Sequence, residues 1–209
     1  MVTKVVVFDL WNTLVYDPSK ENHEKISILL GFKTRQEFWD YCDEHFFNTK
    51  LTFYEFMKKL IKQRNLPKEI FDEIEELWEY ARKHIGVFPD TVETLKKLKK
   101  KYKLVLLSNT AKKEGEESIT RFGLKKYFDE VIFSGQIGLA KPNPRIFRLV
   151  LDHFDVNGEE CVMVGDNLEV DIIPAKLLGF KTILVDTRKK YSEYKNEDWY
   201  VGGLKELEI

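Results

Sequence analysis

The sequence predicts an α/β protein with a parallel sheet in a three-layer, Rossmann-like core, plus an inserted helical bundle. Three observations carry this expectation. Short, continuously apolar, β-branched runs recur along the chain, as parallel strands covered on both faces do. Helical patterns alternate with those runs. One stretch, residues 16–85, holds helical patterns and no convincing strand.

The first strand is expected at Lys4 to Phe8. The helical stretch follows, in about four segments punctuated by Gly31 and by Leu66-Pro67, with Thr34 and Thr52 as N-caps. Phe38, Trp39, Tyr41, Phe46, Phe47, Phe53 and Phe56 recur at helical spacing and read as the core of a small bundle rather than a substrate cage. Asp17-Pro18 reads as a turn where the chain leaves the sheet, and Gly86-Val87-Phe88-Pro89 as its return. Residues 1–15 and 86–209 then form the core, and 16–85 a lid above one sheet edge. The remaining strands are expected at Lys103 to Leu107, Glu130 to Phe133, Cys161 to Val164 and Lys181 to Val185. Helices are expected at Asp90 to Tyr102, Lys113 to Phe122, Pro144 to Phe154 and Asp171 to Leu178. Right-handed crossovers put the carboxyl ends of all these strands on one edge, where ligands bind.

Composition narrows the function. The 209 residues carry 34 Lys and Arg against 35 Asp and Glu. This balance advertises neither nucleic acid nor an anionic membrane as partner. The lysine-rich run 96–101 has Leu95 and Leu98 at helical spacing and reads as a solvated helix face. Cys42 and Cys161 are remote from each other and read as core residues. With neither a secretory leader nor a membrane-length apolar run, the expected compartment is a reducing cytoplasm.

The chemistry gathers where strands end. Asp9 closes the run Val5-Val6-Val7-Phe8, and a carboxylate there must be solvated, paired or metal-bound. Ser108-Asn109, Lys141 and Gly165-Asp166 likewise follow strands. A nucleophile, a hydroxyl donor, a cation and a second acid on one edge read as an active site.

These segments, in this order, resemble the motifs of the haloacid dehalogenase superfamily, whose members are mostly phosphatases. The motifs are Phe8-Asp9-Leu10-Trp11-Asn12-Thr13-Leu14, Leu107-Ser108-Asn109, Lys141-Pro142-Asn143-Pro144 and Gly165-Asp166-Asn167-Leu168-Glu169-Val170-Asp171-Ile172. The helical stretch is similar to the family's cap. The resemblance implies a Mg²⁺-dependent phosphoester hydrolase acting on a small phosphorylated molecule through an aspartyl-phosphate on Asp9. It implies Mg²⁺ ligands from Asp9, the Trp11 carbonyl and Asp166. Lys141, Ser108 and Asn109 would meet the phosphoryl group, with Thr13 and Asp171 in support. Asp171 would orient the metal's water shell or Lys141; on the sequence it also suits the N-cap of the next helix, and the two roles are compatible.

Trp11 departs from the pattern. Family phosphatases place an acid two residues after the nucleophile to protonate the leaving group, and indole cannot do so. The departure leaves three readings: a phosphatase favouring good leaving groups, a 2-haloacid dehalogenase, and a weakly active phosphate-binding regulatory protein. Asp166 stands where dehalogenases carry a neutral residue, and no arginine precedes Arg35 to clamp a haloacid carboxylate. Oligomeric state is not readable.

Overall fold

The computed structural model describes residues 2–191 and 200–209. Met1 and residues 192–199, both within the expected core, lie outside the described residues. In chain order the elements are β1 (Val5–Phe8), β2 (Val15–Tyr16), α1 (Lys20–Leu29), α2 (Arg35–His45), α3 (Phe53–Gln63), α4 (Ile70–His84), β3 (Gly86–Val87), α5 (Thr91–Leu98), β4 (Lys103–Ser108) and α6 (Lys112–Arg121). They continue with β5 (Glu130–Phe133), α7 (Ser134–Ile137), α8 (Pro144–Phe154), β6 (Cys161–Gly165), α9 (Ile173–Lys176), β7 (Lys181–Val185) and β8 (Tyr200–Val201).

Six strands form one sheet in the order β5-β4-β1-β6-β7-β8, and every pairing is parallel. The order reverses at β1, which pairs with β4 on one side and β6 on the other. That places the end of β1 at the crevice where open α/β sheets bind ligands. Apolar residues cover both faces. Phe8, Leu95, Leu104, Leu106 and Ile119 pack on one, and Val7, Val105, Phe147, Val150 and Met163 on the other. Burial on both faces explains the unbroken hydrophobic runs.

Helices α1–α4 bury a separate cluster that includes Ile26, Phe38, Phe46, Phe53, Phe56 and Met57. Thr34 accepts from Glu37 N at 3.1 Å, and Thr52 forms a full capping box with Glu55. Both therefore cap as their sequence pattern demands. The chain enters and leaves this segment through one antiparallel pairing, Val15 with Val87 and Tyr16 with Gly86. These short strands escape sequence reading because each is two residues long. Among the described residues, no helix is long and apolar enough to cross a membrane.

Two local expectations change. Asp171 is not an N-cap: Asn167 holds that position and accepts from Glu169 N and Val170 N. The expected helix from Asp171 starts as a wide turn, Leu168–Ile172, and continues as α9 only to Lys176. The wider turn brings the Asp171 carboxylate back over the end of β6. There Gly165 makes room, since a Cβ on it would lie 2.6 Å from the Asp171 side chain.

Candidate active site

Four loops meet at the carboxyl edge of the sheet. Asp9 follows β1, Ser108 ends β4, Lys141 lies in the loop before α8, and Asp166 follows β6. Lys141 is the hub. Its Nζ donates to Asp9 Oδ1 at 2.7 Å and to Asp171 Oδ1 at 2.6 Å, and the lysine is only 3% exposed. Burial opposes its charge, but Asp171 and Asp9 outweigh that and hold its pKa above the usual lysine value. The backbone of Lys141 is fixed by Asn109, whose Oδ1 accepts from Lys141 N and whose Nδ2 donates to Lys141 O, both at 2.8 Å. Both ends of the Asn109 amide are therefore engaged by main chain.

Asp9, Asp166 and Asp171 each offer a carboxylate oxygen, and these oxygens lie within 4.8 Å of one another. Burial, then the charges of Asp9 and Asp171, push the Asp166 pKa up, against the pull of Arg188 and Lys141. Burial also raises Asp171, against the pull of Lys141. Three carboxylates compressed against one buried lysine are short of positive charge. Arg188 supplies part of it through a 2.5 Å contact with Asp166 Oδ2. A hard, oxygen-seeking divalent cation fits this donor set. Thr13 lies 3.4 Å from Asp9 Oδ2 and tethers the other carboxylate oxygen.

Trp11 sends its indole N–H to Thr110 Oγ1 at 2.6 Å, and Thr110 Oγ1 lies 3.0 Å from Ser108 Oγ. Indole only donates, so Thr110 accepts there and its own proton can go to Ser108. That polarity leaves the Ser108 hydroxyl proton free for an incoming oxyanion. Thr110 N is in turn held by Ser134 Oγ at 3.1 Å.

The site's sequence order and geometry have a counterpart. Residues 3–179 match the family model for haloacid dehalogenase-like hydrolases. The chain belongs to that family. Among relatives of this haloacid dehalogenase-like hydrolase, the phosphoserine phosphatase of Thermus thermophilus is 32% identical over 137 residues, 65% of this chain and 55% of that protein. The glyceraldehyde 3-phosphate phosphatase of Pyrococcus furiosus is 31% identical over 207 residues, 93% of this chain and 84% of that protein. The chain spans about half the length of that phosphoserine phosphatase and of two further curated relatives it matches. Among solved structures, a haloacid dehalogenase-family phosphatase from Thermococcus onnurineus superposes with a TM-score of 0.70 at 27% identity, covering 98% of this chain and 96% of that one. A 2-haloacid dehalogenase from Pseudomonas syringae gives 0.66 at 22% identity, covering 97% and 95%, a likeness of fold alone.

Three features of this hydrolase's site escape the sequence. Arg188 follows β7 with no motif around it, and only the carboxylate crowding gives it a partner. Thr110 matters through its contact with Trp11, a residue 99 positions away. Asp43, on α2, has its pKa raised to about 6 by burial and by Asp40, with Lys141 pulling the other way.

Proposed function

We propose that this hydrolase is a Mg²⁺-dependent phosphatase for a small phosphorylated molecule, acting through an aspartyl-phosphate on Asp9. The carrying observation is the cluster of Asp9, Asp166 and Asp171 around buried Lys141 at the sheet edge. The phosphatase names of its relatives support the same reading. Asp9, Asp166 and the Trp11 carbonyl would hold the ion. When bound, it neutralises charge between nucleophile and phosphoryl oxygens.

The chain's own residues do the rest. The Asp9 carboxylate attacks phosphorus as the bond to the leaving oxygen breaks, and the leaving group departs with that electron pair. Water then attacks the phosphoenzyme, releasing phosphate and restoring Asp9. Lys141 and the Ser108 hydroxyl stabilise negative charge on the phosphoryl oxygens. Asn109 and Asp171 hold Lys141 in place. Trp11 gives the leaving group no proton, so esters of acidic alcohols and acyl phosphates are the better substrates. Residues 16–85 act as a cap that closes over the site and excludes water. Their separate hydrophobic cluster and paired linkers support this assignment.

One observation favours a 2-haloacid dehalogenase: Trp11 itself, because halide leaves unprotonated. The acidic cluster favours the phosphatase. A panel of phosphate esters and 2-haloacids, assayed with Mg²⁺ and with EDTA, separates the readings. Metal-dependent phosphate release is expected. Metal-independent halide release would install the dehalogenase, and silence on both classes would leave a binding protein.

A further inference from the structure

Buried side-chain polar atoms without a hydrogen-bond partner are rare in folded proteins and call for an explanation. Among the described residues there are four: Ser19 Oγ, His23 Nε2, Trp78 Nε1 and Glu114 Oε2. They are not scattered. Asp17 accepts from Ser19 N at 2.7 Å and lies 3.2 Å from His23 Nε2, an ion-pair distance without hydrogen-bond alignment. The His23 ring sits 5.7 Å from that of Trp78. Trp78 stacks on Phe53 at 3.6 Å, and Phe53 N donates to Glu114 Oε1 at 3.4 Å. The four atoms are thus linked through neighbouring side chains, and Trp78 and Glu114 stand where α4 of the helical segment meets α6 of the core.

A cavity of about 30 Å³ opens in that seam, with Trp11, Asp17, Trp78, Arg82 and Glu114 among its walls. Trp11 stands two residues beyond Asp9, so one wall of the cavity belongs to the loop that carries Asp9. Most polar groups around it are engaged. Both Asp17 oxygens have neighbours, Trp11 donates to Thr110, and Arg82 pairs with Glu79 and Glu117. Of the residues that line it, two carry a buried unpartnered atom: an acceptor, Glu114 Oε2, and a donor, the Trp78 N–H. Glu114 is 7% exposed.

A hydroxyl group has the chemistry to match both atoms: its oxygen can accept from an indole and its proton can go to a carboxylate. An ammonium leaves the indole unmatched, and a second anion meets the Glu114 charge. We propose that this seam cavity is a specificity subsite for a hydroxyl on the organic part of the substrate, so that the enzyme selects hydroxylated phosphoesters. The inference rests on the phosphatase reading and deepens it. The volume admits one hydroxyl-sized group, which limits the substrate to a short chain on that side.

Phosphonates bind like phosphoesters but carry no leaving oxygen, so they isolate recognition from turnover. The test is titration calorimetry of the Mg²⁺-loaded protein with two near-isosteric pairs, 2-hydroxyethylphosphonate against propylphosphonate and 3-hydroxypropylphosphonate against butylphosphonate. The better hydroxylated member is expected to bind about 10-fold or more tightly than its apolar partner, because the apolar one leaves two buried polar groups unpaired. The ratio is expected to collapse towards one in Trp78→Phe, which keeps the ring but loses the N–H. Glu114→Gln, which puts a donor where an acceptor stood, is expected to do the same. Ratios taken within each protein cancel any general loss of affinity. If both pairs bind wild type equally, the cavity is a water site and the subsite is overturned. A preference that survives in both variants overturns it as well. If no phosphonate binds at all, the phosphoester reading falls and takes the subsite with it.

Discussion

In the proposed reaction, Lys141 and Trp11 bear on Asp9 in different ways. Lys141 is buried against two carboxylates, so removing its charge leaves Asp9 and Asp171 repelling each other in a low-dielectric site. Lys141→Met is expected to lower kcat by about 10²–10³-fold, the typical cost of deleting one preorganised electrostatic stabiliser. Steady-state hydrolysis of p-nitrophenyl phosphate measures it. Trp11 makes a different forecast. With no acid at that position, log kcat/KM should fall steeply as the leaving group becomes more basic. Trp11→Asp restores a carboxyl there and should speed alkyl phosphates by about 10²-fold, the lower end of general acid catalysis. The slope against leaving-group pKa should flatten in the variant. Parallel slopes would mean that another group already delivers the proton.

At the scale of elements, the sheet's register depends on polar staples as well as apolar burial. Asp129 precedes β5, its N–H donates to Leu104 O at 2.7 Å, and its Oδ2 accepts from Leu104 N at 2.9 Å. Burial works against its charge, but Lys99, the Leu104 N–H and Lys103 together hold its carboxyl below the usual value of 3.8. A carboxyl depressed on folding stabilises the protein above its unfolded pKa, and that contribution disappears as pH falls through the folded pKa. Asp129→Asn should therefore cost about 1–2 kcal/mol at neutral pH. The gap from wild type should persist down to about pH 4 and vanish below it. Urea titrations across that range check both the size and the window. Asp129 also marks what sequence alone conveys. The five main strands of the sheet were legible because burial on both faces forces continuous apolar runs. The wide turn at Leu168–Ile172 was not legible, because it depends on the Asn167 cap and on the space left by Gly165. The candidate site could be read as a set of strand ends. Arg188 and Glu114 could not, since each derives its meaning from partners remote in the chain.

Across the whole molecule, the hydrophobic cluster of α1–α4 meets the two clusters of the sheet through a pair of linkers and a set of polar contacts. Arg121 donates to Arg82 O and Lys83 O at 2.8 Å on one side of the cleft. On the other, Asn48 Oδ1 accepts from Ala140 N at 3.0 Å, beside Lys141. If the helical segment closes over the site, this second contact couples it to the Lys141 loop. Asn48→Ala leaves the Ala140 N–H buried and unpaired when the segments are together, whereas separation lets water reach it. The substitution thus penalises the closed arrangement by about 1–3 kcal/mol, the cost of an unsatisfied buried donor. If catalysis requires closure, kcat/KM should fall about 5- to 150-fold, since each 1.4 kcal/mol is a factor of ten. Small-angle scattering should record a larger radius of gyration for the variant than for wild type under saturating Mg²⁺ and phosphonate. Unchanged dimensions with unchanged kcat/KM would mean that the helical segment is a fixed wall, and the seam subsite would then have to fill from outside without any hinge.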